Sequence, residues 1–229
     1  MLARNLRLLA VLAALLGGGA LLAGGELRLP GDHSGFSPTQ PIAFSHRLHA
    51  GEMGIDCRYC HAGAEQSRHA GIPEASVCMN CHATVTARRD LVVAEQAAAT
   101  RDGREPRTVV APELRKLYRA LGLDDERQRD PALAPQPIEW VRIHQLPDFV
   151  YFDHRPHVLG GVACESCHGP VQAMDRVRQQ HHLSMGWCID CHRSRVPTVL
   201  PFAAAPEPAT GLPAGHPATV SIDCATCHF

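Results

Sequence analysis

The chain has 229 residues, a formal net charge of −1 and an aromatic content of 5%. So even a balance of charge excludes a polybasic nucleic-acid binder, and nothing in it points to an acidic substrate. The length allows one or two domains, but so few large aromatic side chains give a chain of this size a thin apolar core.

In residues 1–30, Arg4 and Arg7 precede an uncharged apolar run at 8–25. That run is just long enough to span a bilayer. The favoured reading is an N-terminal transmembrane anchor. The competing reading is a cleaved signal sequence, with Ala23, Gly24 and Gly25 as small residues at the cleavage point. With both arginines inside, the chain after residue 30 faces outward. Residues 31–43 carry Gly31, Gly35, Pro38 and Pro41 and read as an extended leader.

Residues 44–82 read as a first module. It opens with Phe44, His46, Arg47 and His49, and then carries Cys57, Cys60 and His61, followed by Cys78, Cys81 and His82. Both triplets have the C-x-x-C-H spacing that attaches c-type haem. The two thiols bond to the haem vinyl groups, and the next residue places its imidazole under the iron. The pattern recurs at Cys164, Cys167 and His168, at Cys188, Cys191 and His192, and at Cys224, Cys227 and His228. All ten cysteines are used, and each pair is followed by His. Zinc also favours paired cysteines, and a disulfide framework would pair them directly, but neither needs a histidine after every pair. The pattern predicts five covalently bound haem c groups, with His61, His82, His168, His192 and His228 as proximal ligands. It also predicts that the haem-free chain does not fold, as with small metal domains.

Residues 83–139 contain no Cys or His. An Ala-rich stretch at 85–100 has helical character. Pro112 opens a second helix with Leu114, Leu117, Tyr118 and Leu121 at helical spacing, and Gly122 stops it. The segment reads as a surface-exposed connector between modules. Residues 140–144 alternate and suit an extended segment.

Residues 140–229 form a second haem module with the last three motifs. Phe152, His154, Arg155 and His157 repeat the F-x-H-R-x-H opening of the first module. A glycine also recurs three residues before the first Cys, at Gly54 and Gly161. The stretch before Cys224 is Pro- and Ala-rich and irregular.

Five irons with proximal His need five distal ligands. His46, His49, His144, His154 and His157 make a full set, with Met185 and His216 in reserve and His33, His69, His181 and His182 behind them. One iron has a single free axial position, so two histidines three residues apart serve two different irons. If every iron is six-coordinate, haem carries electrons and leaves substrate no place to bind. The fold class expected is mainly irregular with short α-helices, two haem modules and the N-terminal transmembrane helix.

Several blocks resemble a known family: residues 41–46, 71–73, 78–82, 146–152 and 185–193 are similar to the pentahaem cytochrome c subunit of alternative complex III, a bacterial quinol oxidoreductase. The paired histidines also resemble those of class III (c7/c3-like) cytochromes. The segment around 110–135 is longer than that family leads one to expect. The resemblance implies attachment to the bacterial cytoplasmic membrane with the haem domain on the periplasmic side. It implies as partners an iron–sulfur, molybdopterin-like periplasmic subunit, integral membrane quinol-oxidising subunits, and a monohaem cytochrome c or terminal oxidase. The chain would then relay electrons within a respiratory complex without being a catalyst alone. Two other readings are a multihaem subunit of a related quinone-reducing complex and a multihaem reductase enzyme. The reductase would want an unusual attachment motif or an open iron.

Overall fold

The computed structural model describes residues 32–194 and 221–228. The apolar run at 8–25, His216 and the Pro/Ala-rich stretch at 196–217 lie outside the described residues. Among the described residues no helix is long and apolar enough to cross a membrane.

Short helices joined by irregular chain make up the architecture. In chain order they are α1 (Cys57–Cys60), α2 (Ala75–His82), α3 (Arg89–Asp102), α4 (Pro112–Ala120), α5 (His154–Leu159), α6 (Glu165–His168), α7 (Met185–Ser194) and α8 (Cys224–Cys227). A π-helical turn, Arg47–Glu52, precedes α1. The described residues contain no strand, only isolated bridges at Leu123–Arg129 and Val150–His228. Residues 140–144 therefore stay outside any sheet; Val141 instead exchanges two hydrogen bonds, both 2.9 Å, with the Gln40 side chain.

Local chemistry sets these boundaries. Asp56 caps α1 by accepting from the Arg58 amide at 2.8 Å, and Asp153 caps α5 by accepting from the Arg155 amide at 2.9 Å. α3 stops at Gly103, whose φ of 64° is left-handed. α4 starts with Pro112 in its first turn. Gly54 and Gly161, the two glycines of the repeat, have φ of 66° and 78°. Both turn the chain sharply into a C-x-x-C-H motif, in a conformation that costs a residue with a Cβ.

The connector is more than a surface link. Val110, Leu117 and Tyr118 are buried and form an apolar cluster, with Ile42, Ala75, Cys78, Met79, Leu114, Leu121, Leu123 and Ile138 packed around it. The helical spacing of Leu114, Leu117, Tyr118 and Leu121 turns one face of α4 onto α2, and burial of that face corrects the expectation of an exposed connector. The Tyr118 hydroxyl donates to the His82 carbonyl at 2.7 Å. One of the orphan carbonyls at the end of α2 is thereby satisfied.

The two modules interlock through backbone bonds. The Arg47 amide donates to the Met174 carbonyl at 3.0 Å, and Gly51 lies so close to the Gln172 carbonyl that a Cβ would sit 2.2 Å from it. The Ser45 hydroxyl and the Arg47 guanidinium both reach the Asp175 carboxylate. Gln179, fully buried, joins the leader to the second module: it pairs with Gly35 and Phe36 through its backbone, accepts from the Gln145 amide, and donates to the His181 carbonyl.

Candidate haem centres

Each C-x-x-C-H motif lies on or beside a short helix, which puts two thiols three residues apart on one face. None of the ten cysteines is paired in a disulfide. Among the described residues no three His, Cys, Asp or Glu side chains converge as a metal cage. The histidines meet in twos instead.

Four of these pairings share one separation. The ring centroids of His46 and His61 are 6.4 Å apart with planes 3° from parallel. Those of His154 and His168 are 6.3 Å apart at 5°. His49 and His82 are 6.1 Å apart at 64°, and His157 and His192 are 6.0 Å apart at 38°. Direct ring contact does not explain so constant a spacing at such different angles. A metal–nitrogen bond of about 2.0 Å and a ring centroid about 1.1 Å beyond the nitrogen put two trans imidazoles about 6.2 Å apart. The residues therefore fit a haem iron held between each pair.

The second nitrogen of most of these rings is committed. In a ligating His whose Nε2 meets the metal, Nδ1 carries the proton and donates it to an acceptor that fixes the ring. His61 Nδ1 faces the Gly71 carbonyl at 2.5 Å, His82 that of Val85 at 2.8 Å, and His192 that of Ser221 at 2.9 Å. On the opposite side, His49 faces the Ser45 carbonyl at 2.8 Å, His157 that of Asp153 at 2.8 Å, and His154 that of Arg68 at 2.7 Å. The Arg68 contact crosses from the first module to the second. His46 differs: its Nδ1 is buried without a hydrogen-bond partner among the described residues. Burial, together with the nearby His61 and His49, lowers its pKa to about 4, so the ring is neutral and has no proton to lose before binding a metal.

The repeat has an aromatic wedge that the sequence reading noted only as pattern. Phe44 meets the edge of His46 at 4.9 Å and lies over His49 at 4.3 Å. Phe152 does the same for His154 at 4.9 Å and His157 at 4.7 Å. One Phe thus contacts two imidazoles, one edge-on and one face to face, and each imidazole faces a different proximal His.

His144 has a different place from the distal one expected of it. It stands beside His168 with its Nε2 3.2 Å from His168 Nδ1 and the rings 4.3 Å apart at 82°. His168 already faces His154. Burial, followed by the nearby His154, lowers the His144 pKa to about 4; burial, followed by His144, His154 and His61, lowers that of His168 to about 3. At the fifth motif His228 sits near Phe149, whose carbonyl is 3.4 Å from its Nδ1 and whose ring is 5.7 Å away. Of the reserves, Met185 is exposed at the start of α7. His181 stacks on Trp187 at 5.3 Å, and His182 Nδ1 accepts from the Ser184 amide.

Neighbouring cysteines also link the motifs in space. Cys60 lies near Cys78 and Cys81, and the Cys57 thiol lies near that of Cys164. Cys167 neighbours Cys188 and Cys191, and Cys188 neighbours Cys227. The five motifs therefore run second, first, third, fourth, fifth through space.

Comparison with known proteins follows the same division. Residues 26–106 match the class III cytochrome C family, and residues 150–229 match cytochrome c7 and related cytochrome c. A curated relative is the multiheme cytochrome c subunit of menaquinone reductase from Nitratidesulfovibrio vulgaris, 28% identical over 132 residues. That match covers 56% of this chain and 45% of the relative, so the chain spans less than half of the relative's length. The chain is a multihaem c-type cytochrome, assembled from class III and c7-like segments and carrying covalently bound haem c.

Proposed function

We propose that the chain holds five haems and relays electrons along them as the cytochrome subunit of a membrane quinol or quinone oxidoreductase, without being a catalyst alone. The observation that carries this reading is the set of facing histidines. Each of His46, His49, His154 and His157 lies opposite a proximal His, at the spacing two axial ligands need. Two axial imidazoles saturate an iron and leave it electron transfer as its chemistry. When bound, the haems supply one-electron redox steps. The protein's part is to fix the axial rings, exclude water from them and hold neighbouring groups in contact.

The distal ligands on this reading are His46 for the first haem, His49 for the second, His154 for the third and His157 for the fourth. The fifth takes its distal ligand from Met185, His216 or another reserve. The contacts between motifs support one unbranched path, second–first–third–fourth–fifth, with the second and fifth haems at its ends. The N-terminal run at 8–25 would anchor the chain in the bacterial cytoplasmic membrane, with the haems on the periplasmic side. A periplasmic iron–sulfur subunit and integral quinone-reactive subunits would be its partners.

The direction of flow separates two readings. The blocks at 146–152 and 185–193 resemble alternative complex III and support quinol oxidation toward cytochrome c or a terminal oxidase. The similarity to a menaquinone reductase subunit supports the reverse, with electrons entering from a periplasmic donor and leaving to quinone. Stopped-flow mixing of the purified, oxidised complex with menaquinol decides between them. Haem reduction within one turnover supports quinol oxidation. Haem reduction only by a periplasmic donor, followed by reoxidation with menaquinone, supports quinone reduction. A complex whose haems respond to neither would sink both.

A further inference from the structure

We infer that His144 is a positioning residue for the third haem: it accepts the Nδ1–H of His168, fixes that ring's plane and lowers the potential of that one haem. The inference rests on the reading that His168 is a proximal ligand, and goes beyond it by giving the ligand a partner.

The contrast among proximal rings carries the argument. His61, His82 and His192 each turn Nδ1 to a main-chain carbonyl, and His228 turns its own toward the Phe149 carbonyl. A carbonyl can only accept, so those rings donate from Nδ1 and keep Nε2 for the metal. His168 alone among the five turns Nδ1 to a side chain, the Nε2 of His144 at 3.2 Å. The same rule gives His168 the proton, so His144 must present an unprotonated Nε2. Its own proton then resides on its Nδ1.

This partner does two things a carbonyl does less well. An imidazole nitrogen is a stronger base than an amide oxygen, and so draws the His168 proton further. The His168 ring then gives more electron density to the iron, which favours the ferric form. The edge-on contact, at 82° and 4.3 Å, also stops His168 from turning about its axis. That keeps it within 5° of the His154 plane. His144 is itself placed by its neighbours: its carbonyl accepts from the Arg142 guanidinium at 3.0 Å, and the next amide, of Gln145, donates to buried Gln179.

The test uses the full-length chain with its haems, comparing the wild type with His144→Ala and His144→Gln. Haem content by intact mass comes first. Redox titration and low-temperature EPR follow. In His144→Ala, one haem should move to higher potential while all remain low-spin. Its EPR signal should change from the rhombic type expected of parallel ligand planes toward a more anisotropic one, because the freed ring rotates. His144→Gln keeps an acceptor and should restore the potential most of the way. Three outcomes overturn the inference. A high-spin haem in either variant would make His144 an iron ligand. Unchanged potentials and EPR in both would leave it without influence. Failure of both to accumulate with the full set of haems would give it a packing role that glutamine cannot fill. Loss of the third haem in the wild type would instead remove the reading on which the inference rests.

Discussion

Substitution of the paired histidines is the sharpest probe of the proposed relay. His46 and His49 lie three residues apart, yet they face His61 and His82, which belong to different motifs. His46→Ala should therefore remove one strong-field ligand from the first haem, and His49→Ala one from the second. On the proposed relay each loss should convert one haem, and one only, from low to high spin. The structure also says how to tell the two apart. Parallel imidazole planes split the iron's two π-type orbitals and give a rhombic EPR signal, whereas strongly inclined planes leave them nearly degenerate and give a highly anisotropic one. His46 and His61 are 3° apart, but His49 and His82 are 64° apart. His46→Ala should thus delete a rhombic component and His49→Ala an anisotropic one. The side effect on folding is modest: losing the contact between His49 and Phe44 costs about 0.5–1.5 kcal/mol. His49→Met supplies a ligand again, so that haem should return to low spin at a higher potential. Spin quantitation and redox titration of the purified variants read all of this. If both alanine variants convert the same haem, or either converts two, the assignment of one histidine to one iron is wrong.

Four further expectations can be checked separately. Tyr118→Phe removes a buried hydroxyl that caps the His82 carbonyl at 2.7 Å. Denaturant unfolding should show a loss of about 1–2 kcal/mol, with no change in haem spin state. Gly161→Ala forces a Cβ into φ of 78° and should cost about 1–2 kcal/mol, measured as a lowered thermal midpoint; an unchanged midpoint would mean the turn relaxes freely. Cys60→Ala or Cys191→Ala removes one thioether, and haem-stained gels should show little mature protein; normal accumulation of a four-haem form would make each haem structurally dispensable. A high-salt wash of membranes should leave the chain in the pellet, on the strength of the uncharged run at 8–25; an N-terminus beginning at Glu26 would replace the anchor with a cleaved signal.

What the sequence made legible is the chemistry that repeats. Five C-x-x-C-H motifs and two F-x-H-R-x-H openings are patterns of residue type, and they predict ligands and modules without any knowledge of the fold. The phenylalanine of each opening was visible too, though its role as a wedge between two rings needed the structure. The carbonyls that orient the rings could not be read. Gly71, Val85, Ser221 and Arg68 offer only backbone oxygen, which every residue has. His144 shows the same limit from the other side. As a histidine of the second module it counts as a distal ligand in the sequence, and only the 3.2 Å contact places it at Nδ1 of His168. The interlock of Arg47 with Met174 and Asp175 joins residues more than a hundred positions apart, and no local pattern encodes it.

The order of ligands within each module explains why this unit could repeat. In both openings the first histidine faces the nearer motif and the second faces the farther one: His46 to His61 and His49 to His82, then His154 to His168 and His157 to His192. The far pairings close longer loops, but loop entropy grows only with the logarithm of length, so the extra cost is about 0.8 kcal/mol. That is small beside the strength of a metal–imidazole bond. The wedge of Phe44 or Phe152 offsets it further by setting both rings before either iron is bound. A segment of four residues can thus place two haems, provided two motifs follow it and a left-handed glycine turns the chain between. Few apolar residues are then needed. Among the described residues only Ala64, Ala99, Val110, Leu117, Tyr118 and Met174 form the buried apolar set, and half of these belong to the connector cluster. The modules themselves rest on backbone bonds, ring contacts and the haems they are built to hold. The fifth motif stands outside this scheme. No second opening precedes it, and it is tied in through His228 and Cys227 to residues 149–151. On the proposed relay it extends the path by one step without repeating the unit.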